Sequence, residues 1–288
     1  MTSYAMKPSY VKILIMLVVI GLTAFTPDHF LLPESFYLHK GDKLNIHSLI
    51  GDNFGKEDEN RYNSKNTTKF NLYEGSKKTD LTKVAKDSAS PVLSYSLTNT
   101  GLALVEMNTK PELNVIPRDE YLTYLSDQGF DALTEKLKNT NKLNFTERAN
   151  RYLKTLFTVD NPGGSVYDKD LQNDFEIILK QNPFKKNYGD DISAVVNFKG
   201  KPVKDQNVML FIKTEAGNVY PQKLSTDATG KIYFTLSRDG IYMLRALNIV
   251  PTDKDADFEA WSTTYTFAFS NRNDMPNTYK EFGFGDKH

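Results

Sequence analysis

The 288-residue sequence contains no cysteine, one tryptophan and four histidines. Without thiols, the chain cannot form disulfides, cysteine-ligated zinc sites, iron–sulfur clusters or a cysteine nucleophile. It also lacks an excess of either charge, because 36 basic residues balance 36 acidic ones. That balance provides no basic field for nucleic acid. The longest apolar run, Ile13 to Leu22, is shorter than the roughly 20 residues of a membrane span. Catalytic signatures are missing too. Asn161-Pro162-Gly163-Gly164-Ser165 has neither the order of a nucleophile elbow nor the ending of a phosphate loop, and no His-Glu-x-x-His pair occurs. The chain is therefore expected not to be an enzyme. What it has in quantity is aromatic residues, 16 Tyr and 18 Phe, which favour strands over long Ala/Leu-rich helices.

Lys7 and Lys12 precede the apolar run, and small residues follow at Thr23 and Ala24. This is the pattern of a secretory signal, expected over 1–24 with cleavage after Ala24 and no stable membrane insertion afterwards. An exported chain without disulfides must hold its fold by packing, which this length permits. The expected location is a bacterial periplasm or cell surface.

Beyond the signal, Leu44, Ile46, Ser48 and Ile50 alternate after a Gly41-Asp42 turn and read as a hairpin strand. Residues 51–68 read as a polar loop, and further strands are expected near 69–73, 92–97 and 101–107. From Pro117 the apolar spacing becomes helical, through Tyr121, Leu122, Tyr124 and Leu125 and then Phe130, Leu133 and Leu137. Asn144 and Glu147 have the spacing of a capping box, and Phe145, Ala149, Leu153 and Leu156 follow as one stripe, which predicts a helical insertion over about 117–157. After Asn182-Pro183-Phe184 short alternating strands follow at regular spacing, including Ile192 to Phe198, Val208 to Ile212, Ile241 to Val250 and Trp261 to Phe269. These features predict a mainly β chain of two antiparallel, immunoglobulin-like β-sandwich domains. The first covers 25–182 and carries the helical insertion; the second covers 183–270; a loose polar tail occupies 271–288.

Asp253, Asp255, Asp257 and Glu259 alternate, so an extended chain presents four carboxylates on one face. Such oxygen donors suit calcium, but Phe258 replaces the glycine that a calcium loop requires, and a solvated loop is the preferred reading. His39 and His47 are expected to face solvent, and His288 lies in the tail.

Several motifs recur in one order: Asp28-His29-Phe30-Leu31-Leu32-Pro33, Gly41-Asp42, Gly51 with Phe54-Gly55, Arg148, Arg151-Tyr152 and Lys154, Glu176-Ile177-Ile178 leading to Asn182-Pro183-Phe184, Gly200-Lys201-Pro202-Val203, Thr226 to Lys231, Gly240 to Met243, and Asp257 through Trp261 to Phe267. In these the chain resembles an exported bacterial family of unknown function grouped with nickel and cobalt uptake, the nickel uptake substrate-specific transmembrane region family. Its C-terminal motifs also resemble immunoglobulin-like and transthyretin-like sandwiches. The resemblance implies a non-enzymatic accessory that binds nickel or cobalt, with His29 and Asp28 as candidate ligands and Asp257 and Glu259 as partners if the two ends of the motif set meet. Asn248 stands where the family often has a histidine. The alternative expectation is a metal-free interaction module that contacts a protein or glycan of the cell envelope.

Overall fold

In the computed structural model the described residues are 27–285; the expected signal and His288 lie outside them. The strands are β1 (Asp28–Pro33), β2 (Tyr37–Leu38), β3 (Lys43–Gly51), β4 (Asp58–Asn60), β5 (Thr67–Glu74), β6 (Lys77–Asp80), β7 (Leu93–Ser96), β8 (Gly101–Thr109) and β9 (Glu112–Pro117). Two helices follow, α1 (Arg118–Asp127) and α2 (Asp131–Leu137). Next come β10 (Asn144–Val159), β11 (Phe175–Leu179), β12 (Asp191–Phe198), β13 (Lys201–Pro202), β14 (Asn207–Lys213), β15 (Val219–Ser225), β16 (Lys231–Thr235), β17 (Gly240–Pro251) and β18 (Phe258–Phe269), then one helical turn, α3 (Thr278–Glu281).

The chain forms two compact units. The smaller described one, 115–145, contains both helices. Tyr121, Tyr124 and Leu125 are the buried side chains of α1, and the Tyr121 ring lies 5.3 Å from Phe145. The larger unit, 27–114 with 146–285, is mainly β. A ten-stranded sheet in the order β15-β14-β17-β18-β10-β8-β5-β6, with β2 and β9 also on β10, runs through it. Two four-stranded sheets pack on it, one from β1, β3, β4 and β7 and the other from β11, β12, β13 and β16. The first is tied on by Thr264 and Thr266 of β18, whose hydroxyls donate to the His29 and Leu31 carbonyls at 2.9 and 2.7 Å. The second is tied on by Lys154 of β10, which reaches Glu176 of β11 at 2.9 Å. One continuous apolar cluster, from Phe30 and Leu44 through Phe157 and Ile177 to Phe267, fills the space between the layers. The fold class is thus mainly β and sandwich-like, as expected.

Five expectations change. The boundary near Pro183 falls inside the larger unit: Phe184 is buried, its ring 5.3 Å from Tyr37, and strands from both sides share the long sheet. The join is β10 with β18, which pair in parallel over Glu147–Thr155 and Phe258–Thr266, so the sheets are not purely antiparallel. The helical insertion ends at Leu137. Residues 144–157, expected as a helix, belong to β10 because a spacing of four satisfies a strand face as well as a helical stripe. The tail is not loose, since Met275, Phe282 and Phe284 are buried and the Thr278 amide donates to the Glu34 carbonyl at 2.8 Å. The 41–42 turn is present, with Gly41 at φ +98°, but β3 pairs with β1 rather than with the short strand before the turn.

Candidate functional site

His29 opens into a pocket of about 170 Å³ where β1, β3 and β4 meet β5, β8 and β10. At about 30 Å³ per molecule this is room for roughly six waters. Strand alternation supplies the lining: Met107 and Thr109 share one face of β8, and Arg151 and Leu153 share one face of β10. Ser48, Met107 and Leu153 form a buried floor. Asn60, Thr67, Thr109 and Arg151 form the walls, and the exposed Arg61, Asn63, Asn66 and Glu112 form the rim.

Most of the lining side chains are polar, and several are oriented by the protein. Asn60 Nδ2 donates to His29 Nδ1 at 3.2 Å, which leaves the second ring nitrogen as an N–H donor. Arg151 donates to Glu112 at 2.6 Å, and Arg61 donates to the Ser88 carbonyl at 3.3 Å. The Thr109 hydroxyl is buried without a hydrogen-bond partner. Burial first, and the Arg151 guanidinium second, lower the His29 pKa from 6.5 to about 3, so the imidazole is neutral at physiological pH.

The four residues expected to hold a metal are not brought together. Asp28 and His29 are consecutive on β1, so their side chains leave on opposite faces. Asp28 instead approaches Arg245 at 3.3 Å. Burial raises its carboxyl to about 6, against the pull of Arg245 and with a smaller push from Asp52. Asp257 accepts from the Thr146 amide and hydroxyl at 3.0 and 3.1 Å, and Glu259 accepts from Asn150 at 3.3 Å. Thr264 marks the level of His29 on β18. Glu259 and Asp257 lie about 17 and about 23 Å back along that strand, at about 3.3 Å per residue. Asp253 and Asp255 are exposed in the turn ahead of β18. Among the described residues no group of three His, Asp or Glu side chains is placed to hold a metal ion.

The other histidines separate into two environments. His39 is exposed, as expected, and meets Asp160 at 3.0 Å. His47 is buried instead of solvent-facing. Its Nδ1 lies 2.7 Å from Glu59 and its Nε2 lies 3.1 Å from Glu34, while the Tyr279 ring stacks on it at 3.7 Å. Tyr279 also donates to Glu59 at 2.7 Å and accepts from Lys56 at 2.8 Å. Burial would raise the Glu59 carboxyl, but hydrogen bonds from Ser90, Tyr279 and His47 outweigh it and hold the pKa at about 2. With carboxylates on opposite ring nitrogens this cluster is a clasp between the amino-terminal sheet and α3, and it cannot close on a single ion.

The motif order singles out His29 as a candidate ligand and contains Arg151 without assigning it a role, the spacing placing Arg151 in a helix. Asn60, Thr109 and Glu112 carried no signal, because isolated polar residues in loops and at strand ends reveal no shared face until the sheets are stacked.

The family model described as "Domain of unknown function (DUF4198)" matches residues 28–250. This chain belongs to that family. The DUF4198 match contains every residue lining the His29 pocket and ends before Asp257 and Glu259. No curated protein matches the chain. Among the solved structures similar to it are these two. One is a tetra-tandem repeat in the extending region of a large adhesion protein, with 11% identity and a TM-score of 0.22, covering 85% of this chain. This chain spans 50% of that one. The other is the D0-D1 domain of intimin, with 13% identity and a TM-score of 0.20, covering 84% of this chain and 98% of that one. No described helix is long and apolar enough to cross a membrane.

Proposed function

We propose that this DUF4198 chain is a non-enzymatic binding module of the bacterial cell envelope that takes a saccharide in the His29 pocket. The observation that carries the reading is a set of polar side chains lining one concave site. His29 offers an N–H, Asn60, Arg151 and Glu112 supply further donors and acceptors above an apolar floor of Met107 and Leu153, and Thr109 lines the wall with a hydroxyl that is buried and unpartnered. Amide, carboxylate and guanidinium groups pair with adjacent hydroxyls, which donate and accept in turn, and a few such groups fix a ligand's orientation. The volume suits one sugar ring, and the open rim at Asn63 and Asn66 leaves room for a longer chain.

The nickel or cobalt reading has narrower support. His29 is in the neutral form that a metal requires, and the sequence resembles a family grouped with nickel uptake. Against it, one imidazole nitrogen is already engaged by Asn60, and two guanidinium groups line the pocket and oppose a dication.

Calorimetric titration of the purified protein with neutral and uronic acid oligosaccharides, and separately with nickel and cobalt, tests both readings. The expected result is saccharide binding that weakens at least tenfold in Arg151→Ala and Thr109→Val. Saccharide heats that are absent, or indifferent to both substitutions, count against the proposal. A nickel heat lost in His29→Ala reinstates the metal.

A further inference from the structure

A second polar cluster lies outside the pocket, on the buried face of β5 and β8. Alternation puts Lys69, Asn71 and Tyr73 on one face of β5, and the register sets Lys69 against Asn108 and Asn71 against Glu106. Asn173, just ahead of β11, completes the group. Its side-chain oxygen accepts from Lys69 Nζ at 2.9 Å and from Asn108 Nδ2 at 2.7 Å. Its amide nitrogen faces Glu106 Oε2 at 3.3 Å. The other Glu106 oxygen is held by Tyr73 at 2.5 Å and Asn71 at 2.7 Å. Glu106, Asn108 and Asn173 are buried and Lys69 is half-buried. Lys154, the nearby lysine of β10, is neutralised by Glu176, whereas the group Lys69 meets is a carboxamide.

We propose that Lys69 and Asn173 join in an intramolecular amide bond. With Nζ 2.9 Å from the carboxamide oxygen and a C=O bond of about 1.2 Å, the amine lies within about 3–4 Å of the carbonyl carbon, close to a near-attack distance. The Lys69 amine, once its ammonium proton has passed to solvent, adds to Cγ of Asn173. Asn108 Nδ2, already on the oxygen, stabilises the charge that develops there. In the adduct the attacking nitrogen sits on the carbon that carries Asn173 Nδ2, and Glu106, whose Oε2 faces Nδ2 at 3.3 Å, relays the proton to the departing nitrogen. The Nζ–Cγ bond forms, the Cγ–Nδ2 bond breaks, and one ammonia leaves. No oxidant, metal or cofactor enters the balance. The product ties β5 of the long sheet to the segment entering β11, across a sequence separation of 104 residues. In a chain with no cysteine it provides a covalent staple that reductants do not open, and it restricts the unfolded ensemble as a disulfide does.

Intact mass and tryptic peptide mapping of the purified wild-type chain test this. The expected result is a chain lighter by one ammonia and a branched peptide joining the Lys69 and Asn173 segments. Lys69→Arg and Glu106→Gln should yield only linear peptides, and Lys69→Arg should melt on the order of ten degrees lower. Cyclisation of Asn173 onto its following amide also releases ammonia. An ammonia loss that persists in Lys69→Arg, or folded wild type that yields linear peptides with Lys69 and Asn173 unmodified, overturns the proposal. The wild-type map decides even where a variant fails to fold.

Discussion

Two histidines that the sequence presents alike have opposite surroundings. His29 is kept neutral by burial and Arg151, with a pKa of about 3 against 6.5 in the unfolded chain. Between those values the unfolded state takes up a proton that the folded state refuses. The contribution of neutral His29 is complete above pH 6.5 and is lost as pH falls toward 3. Asp28 acts in the opposite sense: its carboxyl is raised from 3.8 to about 6, so over that interval the folded chain holds the extra proton and acidification favours folding. His29→Gln, which keeps an acceptor for Asn60, should therefore lose less stability than wild type between pH 7.5 and pH 4.5, as measured by urea midpoints. An equal loss in both proteins would assign the acid sensitivity elsewhere. His47 has a different role. Each ring nitrogen meets a carboxylate, and Tyr279 covers the ring face. Replacing it with Ala leaves Glu34 and Glu59 facing each other across a cavity. The expected cost is about 2–4 kcal/mol, with α3 released first in hydrogen exchange.

At the scale of elements, β10 shows what a single sequence reveals and what it conceals. Strands were legible at β5, β8, β12, β14, β17 and β18, because runs rich in apolar, aromatic and β-branched residues are bounded near one end or both by Gly, Pro or Asp. β10 was hidden because Phe145, Ala149 and Leu153, four residues apart, fit both periods, and the Asn144/Glu147 pair imitates a cap. Lys154 sharpens the distinction: a helix would direct it beside Arg151 toward solvent, whereas the strand buries it against Glu176 and over the Tyr265 ring at 4.8 Å. Glu176 also accepts the Leu171 amide at 3.1 Å and the Asn173 amide at 3.3 Å, so it has duties beyond the ion pair. Lys154→Ala should cost about 3–5 kcal/mol by leaving a buried carboxylate without its cation. Lys154→Met with Glu176→Gln should recover most of that loss, since Gln still accepts the two amides, whereas Lys154→Met with Glu176→Leu should not. Denaturant unfolding of the four proteins checks the ordering; equal recovery in both double variants would mean the amides do not depend on Glu176.

At the scale of the molecule, the long sheet decides which pieces can fold alone. A boundary near Pro183 looked natural because Asn-Pro-Phe precedes a dense run of strands. In the structure, however, Pro183 and Phe184 are buried, Asn182 caps the turn through the Phe184 amide at 3.0 Å, and its side-chain amide donates to the Pro162 carbonyl at 2.8 Å. Domain linkers are exposed and crossed by few contacts, and this segment is neither. A fragment limited to 183–270 would keep β12 to β18 but lose β10, the parallel partner of β18, and β11, the antiparallel partner of β12. Two strand edges with apolar side chains would open to water, a state prone to strand addition and aggregation. The fragment should therefore show no cooperative melting and poor amide dispersion in its NMR spectrum, while the larger unit of the intact chain unfolds in one transition with its two four-stranded sheets together. A soluble 183–270 fragment that melts cooperatively would mean that the pairing of β10 with β18 only joins two domains already stable by themselves, and the long sheet would then be a seam between them and not the frame of the fold.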